Sequence, residues 1–394
     1  MRVFGIICEY NPFHTGHRWQ VGELRRRFGE ECAVVCAMSG NFVQRGDFAI
    51  VRKHARAEAA VCGGADLVLE LPTPWATASA EGFARGGIKV LAGTGVVDTL
   101  AFGSECADTE KLKRVAACLT GKDFSDALHA ELDKGNSFAA ARERAAEKLC
   151  GVDAFVLRDA NDILGVEYCK ALSGTGIAPL TLPRRGIDHD GGAGDGFASA
   201  SYLRERLLEG EVSGEYLTSD MERLYETERA VGRAPVTMGT AERAMLARLR
   251  TMTEDDFAHY DEGNEGLYHR LYDASRTATS IEELLTAAKT KRYAYARLRR
   301  TVLRMYLGIE EVPEKVPYLR VLACSERGRT LLKQMKKTAS LPILTKSADV
   351  RELSEEAQRL FAIEARATDL YTLAYPELSQ AVGGSEWTTN PVIL

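Results

Sequence analysis

Apolar positions in the first half of the chain fall into short runs separated by amphipathic stretches. Residues 2 to 8 (Arg-Val-Phe-Gly-Ile-Ile-Cys) are nearly uncharged and rich in β-branched and aromatic side chains, which suits a strand buried on both faces of a parallel sheet. Pro12 ends any ladder, and from about Gly16 the spacing of Trp19, Val21 and Leu24 among polar residues predicts a helix. Cys32 to Met38 predicts a second strand, Arg52 to Cys62 a helix, Asp66 to Leu71 a third strand, Ala78 to Ala92 a helix and Val96 to Phe102 a fourth strand. Helices follow over about 108 to 120 and 136 to 149, then a last strand near Ile177 to Leu182. This alternation predicts an α/β fold, a Rossmann-like doubly wound parallel sheet. From Ala198 helical periodicity dominates, with Ser199 or Ser201 as N-cap. The chain thus divides into a sheet domain over 1–197 and a mainly α-helical domain over 198–394, and the glycine-rich stretch 188 to 197 between them reads as a linker or a lid.

The loop after the first strand carries the candidate chemistry. It reads Glu9-Tyr10-Asn11-Pro12-Phe13-His14-Thr15-Gly16-His17, an H-x-G-H that opens the first predicted helix. A helix N-terminus carries unpaired backbone N–H groups and partial positive charge, both suited to a polyphosphate. Gly16 permits close approach, and the two imidazoles can donate hydrogen bonds as charge develops at an α-phosphate. Position sharpens the signal, since open α/β sheets bind ligands beyond the carboxyl ends of their strands. The bland alternative is a capped helix with two solvent-facing histidines. Other strand ends meet the same rim: Ser39-Gly40-Asn41-Phe42, Gly103-Ser104-Glu105, and Pro183-Arg184-Arg185-Gly186, whose tandem arginines suit phosphate. Glu9 and Asn11 either hold ribose or a metal-bound water or shape the turn before Pro12.

The chain has 394 residues, 45% hydrophobic and 27% charged, room for two or three domains. No apolar stretch approaches the roughly 20 residues of a membrane helix, and the N-terminus enters a strand rather than a signal peptide, so a cytoplasmic location is expected. Nine scattered cysteines without a C-x-x-C pair read as reduced thiols, and no metal cluster is expected. Net charge is -5, yet residues 288 to 346 hold 15 Lys or Arg against 4 Asp or Glu. The densest part includes Lys289, Lys291, Arg292, Arg297, Arg299, Arg300 and Arg304, interleaved with Tyr293, Tyr295 and Tyr306. It is either a solvated amphipathic helix or an RNA backbone surface with tyrosines able to stack on unpaired bases.

Seven blocks resemble the bacterial tRNA(Met) cytidine acetate ligases, members of the H-x-G-H nucleotidyltransferase superfamily. They are Gly5 to His17, Met38 to Gly46, Gly64 to Pro72, Phe102 to Glu105, Asn161 to Tyr168, Phe197 to Arg204 and Lys291 to Tyr293, in order along nearly the whole chain. The resemblance implies activation of acetate by ATP as acetyl-adenylate and transfer of acetyl to N4 of the wobble cytidine of elongator tRNA(Met), with magnesium accompanying ATP. It implies an ATP site of Ile7, Cys8, Glu9, Tyr10, Asn11, Pro12, Phe13, His14, Thr15, Gly16, His17, Arg18, Trp19 and Gln20, with Gly103, Asn161 and Arg184 or Arg185. His14 and His17 are the catalytic candidates, and Ser39 to Asn41 would border acetate. Lys289, Lys291, Arg292, Arg297, Arg299 and Arg300 would meet tRNA. Departures are Cys8, Thr15 and Val51-Arg52-Lys53-His54, the last able to alter a rim contact. Rival readings are a small-molecule adenylyltransferase of the pantetheine-phosphate or nicotinamide-mononucleotide kind and an RNA-binding protein with a vestigial nucleotide site.

Overall fold

The computed structural model describes residues 1–394 except 185–191, 195, 212–213 and 262–265. The first half runs β1 (Val3–Cys8), α1 (Thr15–Phe28), β2 (Ala33–Ser39), a hairpin of β3 (Phe42–Val43) and β4 (Asp47–Phe48), α2 (Lys53–Cys62), β5 (Leu67–Leu71), α3 (Thr73–Ala76), α4 (Ala80–Gly93) and β6 (Thr99–Ser104). It continues with α5 (Thr109–Thr120), α6 (Lys122–Leu132), α7 (Phe138–Cys150), α8 (Ala160–Ala171) and β7 (Ala178–Pro183). β1, β2 and β5 are buried along their full length, because helices cover both faces of the parallel strands.

After a short pair, β8 (Ala193–Gly194) and β9 (Phe197–Ala198), come helices α9 (Ala200–Leu208), α10 (Ser219–Ala230), α11 (Glu242–Thr251), α12 (Glu254–Ala258), α13 (Leu267–Thr277), α14 (Ile281–Ala288) and α15 (Tyr295–Leu307). Ser199 caps α9, accepting from Tyr202 N at 3.2 Å. Then β10 (Leu319–Cys324), α16 (Glu326–Thr338), β11 (Ile343–Leu344), α17 (Glu355–Thr372), α18 (Ser385–Thr388) and β12 (Val392–Ile393) complete the chain. Among the described residues no helix is long and apolar enough to cross a membrane.

Strand order in the main sheet is β11-β10-β5-β2-β1-β6-β7, with β12 also on β10. The first-half strands pair in parallel, and β10 lies antiparallel on β5. The α/β sheet with a largely helical second half is therefore present, but the sheet crosses the expected division at 197/198, since three strands come from beyond residue 318. Burial of the whole Leu319–Cys324 segment drives this. Arg320 hides it in the sequence, interrupting an apolar run although its side chain is buried, hydrogen-bonded to Ser347 Oγ at 2.8 Å.

Candidate functional site

A cavity of about 440 Å³ opens at the carboxyl rim of the sheet, around the end of β1. The sequence that builds it is the loop from Glu9 to His14. Tyr10 adopts a left-handed φ of 47°, and its buried ring packs 4.7 Å from that of His17. Glu9 and Asn11 act as ties: Glu9 Oε1 accepts Gln44 N at 2.7 Å, and Asn11 Oδ1 accepts Ile50 N at 2.8 Å. Both contacts fit the turn-shaping role. Buried Arg56 locks the loop from behind, donating to the carbonyls of Glu9, Gly40, Ser39 (3.2 Å) and Val51 (3.0 Å).

His14 is the N-cap of α1, and the two imidazoles satisfy the helix end themselves. His14 Nδ1 accepts Gly16 N–H at 3.1 Å, and His17 Nδ1 accepts the His14 N–H at 3.3 Å. Thr15 N–H is taken by the Tyr216 carbonyl at 2.9 Å and His17 N–H by the His14 carbonyl at 3.0 Å. The free backbone donors expected at this terminus are thus spent, which corrects the sequence reading. The donors move to the side chains instead. Burial, then the positive charge of Arg184 and Arg204, lowers the His14 pKa to about 4. Burial, then neighbouring His14 and Arg184, holds His17 well below its ordinary value. Both rings are therefore neutral near pH 7, and with Nδ1 accepting, each carries its proton on Nε2. The rings stack with centroids 3.7 Å apart, and both line the cavity.

One flank of the cavity comes from β6, α8 and β7. Asp162, buried at the start of α8, accepts Ser104 Oγ at 2.5 Å and Glu105 N at 3.0 Å. Glu105 in turn receives Asn161 Nδ2 at 2.6 Å, Asp162 N at 3.0 Å and Arg184 Nη1 at 3.1 Å. One carboxylate therefore aims two candidate ligand side chains. Gly103 lies open to the cavity, with nothing within 4 Å of where a Cβ would stand.

Of the residues expected at an ATP site, Ile7 to Asn11, His14, Gly16, His17, Trp19, Gln20, Gly103, Asn161 and Arg184 line this cavity. Pro12, Phe13, Thr15 and Arg18 do not: Phe13 is wholly buried in the core, and Arg18 faces solvent. Arg185 and half of the glycine-rich stretch, residues 188–191 and 195, lie outside the described residues. Ser39 to Asn41 are buried behind the rim, where Asn41 Oδ1 accepts Lys53 N at 2.9 Å. Gln44 and Arg45 stand at the cavity in their place. Arg204, missed in the sequence because it sits inside a helical pattern, donates to the Asn11 carbonyl at 2.9 Å. The departing run Val51-Arg52-Lys53-His54 does not line the cavity. Arg52 pairs with Glu228 at 2.8 Å, His54 is buried, and Lys53 is buried between Glu70 and Glu386, 2.7 Å from each.

Several cations of the densest basic stretch are tied to the protein itself, whereas Arg329, Lys333, Lys336 and Lys337 farther along are exposed. Lys289 Nζ donates to the Thr290 and Tyr293 carbonyls, both at 2.7 Å. Arg304 is buried and donates to the Ile309 carbonyl at 3.1 Å. Arg297 lies 3.9 Å from Asp261, and Arg299 pairs with Asp47 of the hairpin. Tyr293 and Tyr306 belong to the core under α15, so neither is available to stack on a base, and Tyr295 donates to Glu282 at 2.6 Å. Lys291 and Arg292 are exposed. Among the described residues, no group of three or more His, Cys, Asp or Glu is placed to hold a metal.

A parallel sheet with a neutral histidine pair opening its first helix, beside an arginine-flanked cavity, defines a nucleotidyltransferase. The family described as HIGH Nucleotidyl Transferase matches residues 1–385. The chain belongs to that family and, within it, to the tRNA(Met) cytidine acetate ligases. It is 39% identical over 389 residues to the tRNA(Met) cytidine acetate ligase of Caldanaerobacter subterraneus, covering 95% of this chain and 96% of that one. It is 35% identical to the same-named protein of Acetivibrio thermocellus, with both chains fully covered. The crystal structure of Thermotoga maritima TmcAL bound with alpha-thio ATP matches at a TM-score of 0.92 and 33% identity over the full length of both chains, and its apo form at 0.94.

Proposed function

We propose that this chain activates acetate with ATP, releasing diphosphate, and passes the acetyl group to N4 of the wobble cytidine of elongator tRNA(Met). The observation that carries the reading is the pair of neutral imidazoles, each with an Nε2 proton that has no partner among the described residues, on a cavity flanked by Arg184.

In the first step an acetate oxygen attacks the α-phosphorus, and the bond to the bridging oxygen breaks. Diphosphate leaves with the electron pair. His14 and His17 donate hydrogen bonds to phosphate oxygens as charge builds, and because they begin neutral they raise no cost of burying charge before ATP arrives. Arg184, held by Glu105, takes the departing diphosphate. Asn161 and Gly103 lie on the same flank and serve the nucleoside end of ATP. Magnesium would accompany ATP and offset phosphate charge; among the described lining residues Glu9 is the carboxylate that could face it, with Oε1 accepting Gln44 N.

In the second step the cytosine amine attacks the acetyl carbonyl, AMP departs and the amine loses a proton. An unpaired anticodon base is needed, since a stacked base cannot reach the cavity. Exposed Lys291 and Arg292 provide backbone contacts, and the tRNA substrate places the activity in the cytoplasm. Incubation with ATP, acetate and tRNA(Met), followed by nucleoside mass spectrometry, tests the reading. N4-acetylcytidine is expected; diphosphate release only with some other acceptor would overturn it.

A further inference from the structure

Sheet order gives the cavity two unlike flanks. β6 and β7 lie on one side of β1, carrying Gly103 and Arg184, while β2 lies on the other and leads into the hairpin. Ligands at such a rim sit across the strand ends, so if the nucleotide occupies the β6 side, its reaction partner occupies the β2 side. That second flank carries Gln44 and Arg45 of the hairpin tip, and Gln44 reaches Ala78 just before α4, whose Ala80 and Phe83 also line the cavity. The two arginines differ in one respect. Arg184 is engaged by Glu105, whereas Arg45 is exposed and has no hydrogen-bond or ion-pair partner among the described residues.

The tip that carries Arg45 is fixed from several directions. Gln44 N donates to Glu9, and Gln44 Nε2 reaches the Ala78 carbonyl just before α4 at 3.4 Å. Gly46 has a φ of +76°, and a Cβ there would collide with the backbone of Arg299 and Arg300, so only glycine suits both the turn and the close approach. Asp47 pairs with Arg299 behind it. A rigid tip thus presents an uncommitted guanidinium to the cavity, beside an apolar wall.

We propose that Arg45 recognises the carboxylate co-substrate, which identifies the β2 flank as the acyl site; this rests on the acetate-activating reading above. The planar fork holds a carboxylate by parallel N–H···O bonds, while Ala80 and Phe83 face its methyl group. Arg45 orients the carboxylate as the new oxygen–phosphorus bond forms and the bond to diphosphate breaks, and it gives and takes no proton.

Acetate-dependent exchange of labelled diphosphate into ATP, without tRNA, tests this with the wild-type chain, Arg45→Gln and Arg45→Lys. Arg45→Gln is expected to raise the acetate KM about 10- to 100-fold, the worth of a charge-assisted pair, with the ATP KM within about twofold and most of kcat regained at saturating acetate. Arg45→Lys should recover part of the loss, a cation without the fork. An ATP KM that rises with the acetate KM would assign Arg45 to the phosphates instead, and unchanged constants, or a fall in kcat alone, would also overturn the proposal. Wild-type protein without acetate-dependent exchange would overturn the ligase reading itself, before any variant is considered.

Discussion

Asp47 of the hairpin forms an ion pair with Arg299 of α15, which fastens the basic helix to the loop that borders the cavity. Both side chains are about a quarter exposed, at 30% and 24%, so the pair contributes on the order of 1 kcal/mol. Arg299→Gln is therefore expected to slow diphosphate exchange in the absence of tRNA by about fivefold. Lys291→Gln should leave that reaction unchanged and weaken only tRNA-dependent acetylation. An Arg299→Gln enzyme with full exchange activity would return Arg299 to a pure surface role.

His17 both donates toward the cavity and accepts the backbone N–H of its own helix cap. His17→Ala should lower the kcat of diphosphate exchange by at least about 100-fold, the usual cost of removing a donor to developing negative charge. Filter binding of tRNA should be nearly unaffected, and equal loss of both would contradict separate sites for the two substrates.

Glu105 touches Asn161 and Arg184 rather than the open cavity, so its role is positioning. Glu105→Ala is expected to raise the ATP KM about tenfold by releasing both side chains, with the acetate KM unchanged. Steady-state kinetics with each substrate varied in turn separates this from a general folding defect, which would lower active enzyme without moving either KM.

The buried cluster beneath the rim makes a paired prediction. Lys53 lies between Glu70 and Glu386, while burial, then repulsion from Glu70, pushes the Glu364 carboxyl up to about 8. Glu364 is thus largely protonated at pH 7, and its oxygens accept Thr73 N at 2.6 Å and Thr73 Oγ1 at 2.7 Å. Glu364→Gln should cost less than about 1 kcal/mol in urea unfolding, whereas Lys53→Met, which strands two carboxylates, should cost about 3–5 kcal/mol. Equal costs would show that Glu364 is charged in the fold.

Low pH should act through the histidines. His14 is held near 4, His54 near 3 by burial and then Lys53, and His17 is lowered as well. Each native value lies below the unfolded one of about 6.5, so the unfolded chain binds protons first. Their contribution is complete above about pH 6.5 and is lost as pH falls toward the native values, at up to about 1.4 kcal/mol per pH unit for each ring. Glu364 works in the opposite sense, its contribution fading as pH rises toward 8. Thermal unfolding from pH 7 to 5 should show a falling Tm, with a shallower slope in His54→Gln; a flat profile would contradict neutral native histidines.

The sequence by itself determined the parallel core and the histidine loop. Local signals suffice for both: the apolar run of β1, Pro12 as a stop and the start of α1 are all written within about 25 residues. Membership of the ligase family was legible too, because its blocks keep their order along the chain. Tertiary structure decided the rest. It placed β10 in the sheet despite Arg320, since that charge finds its partners some 27 and 66 residues away in Ser347 and Glu386. It turned Lys289, Arg297, Arg299 and Arg304 of the densest basic stretch into internal ties, two of them because Asp47 and Asp261 arrive from distant parts of the chain, and it buried Tyr293 and Tyr306, two of the three tyrosines that charge patterning had offered to RNA. It also moved the candidate phosphate donors from backbone to imidazole: only three-dimensional contacts show that the N–H groups at the start of α1 are already spent, and that each ring's proton is left on Nε2.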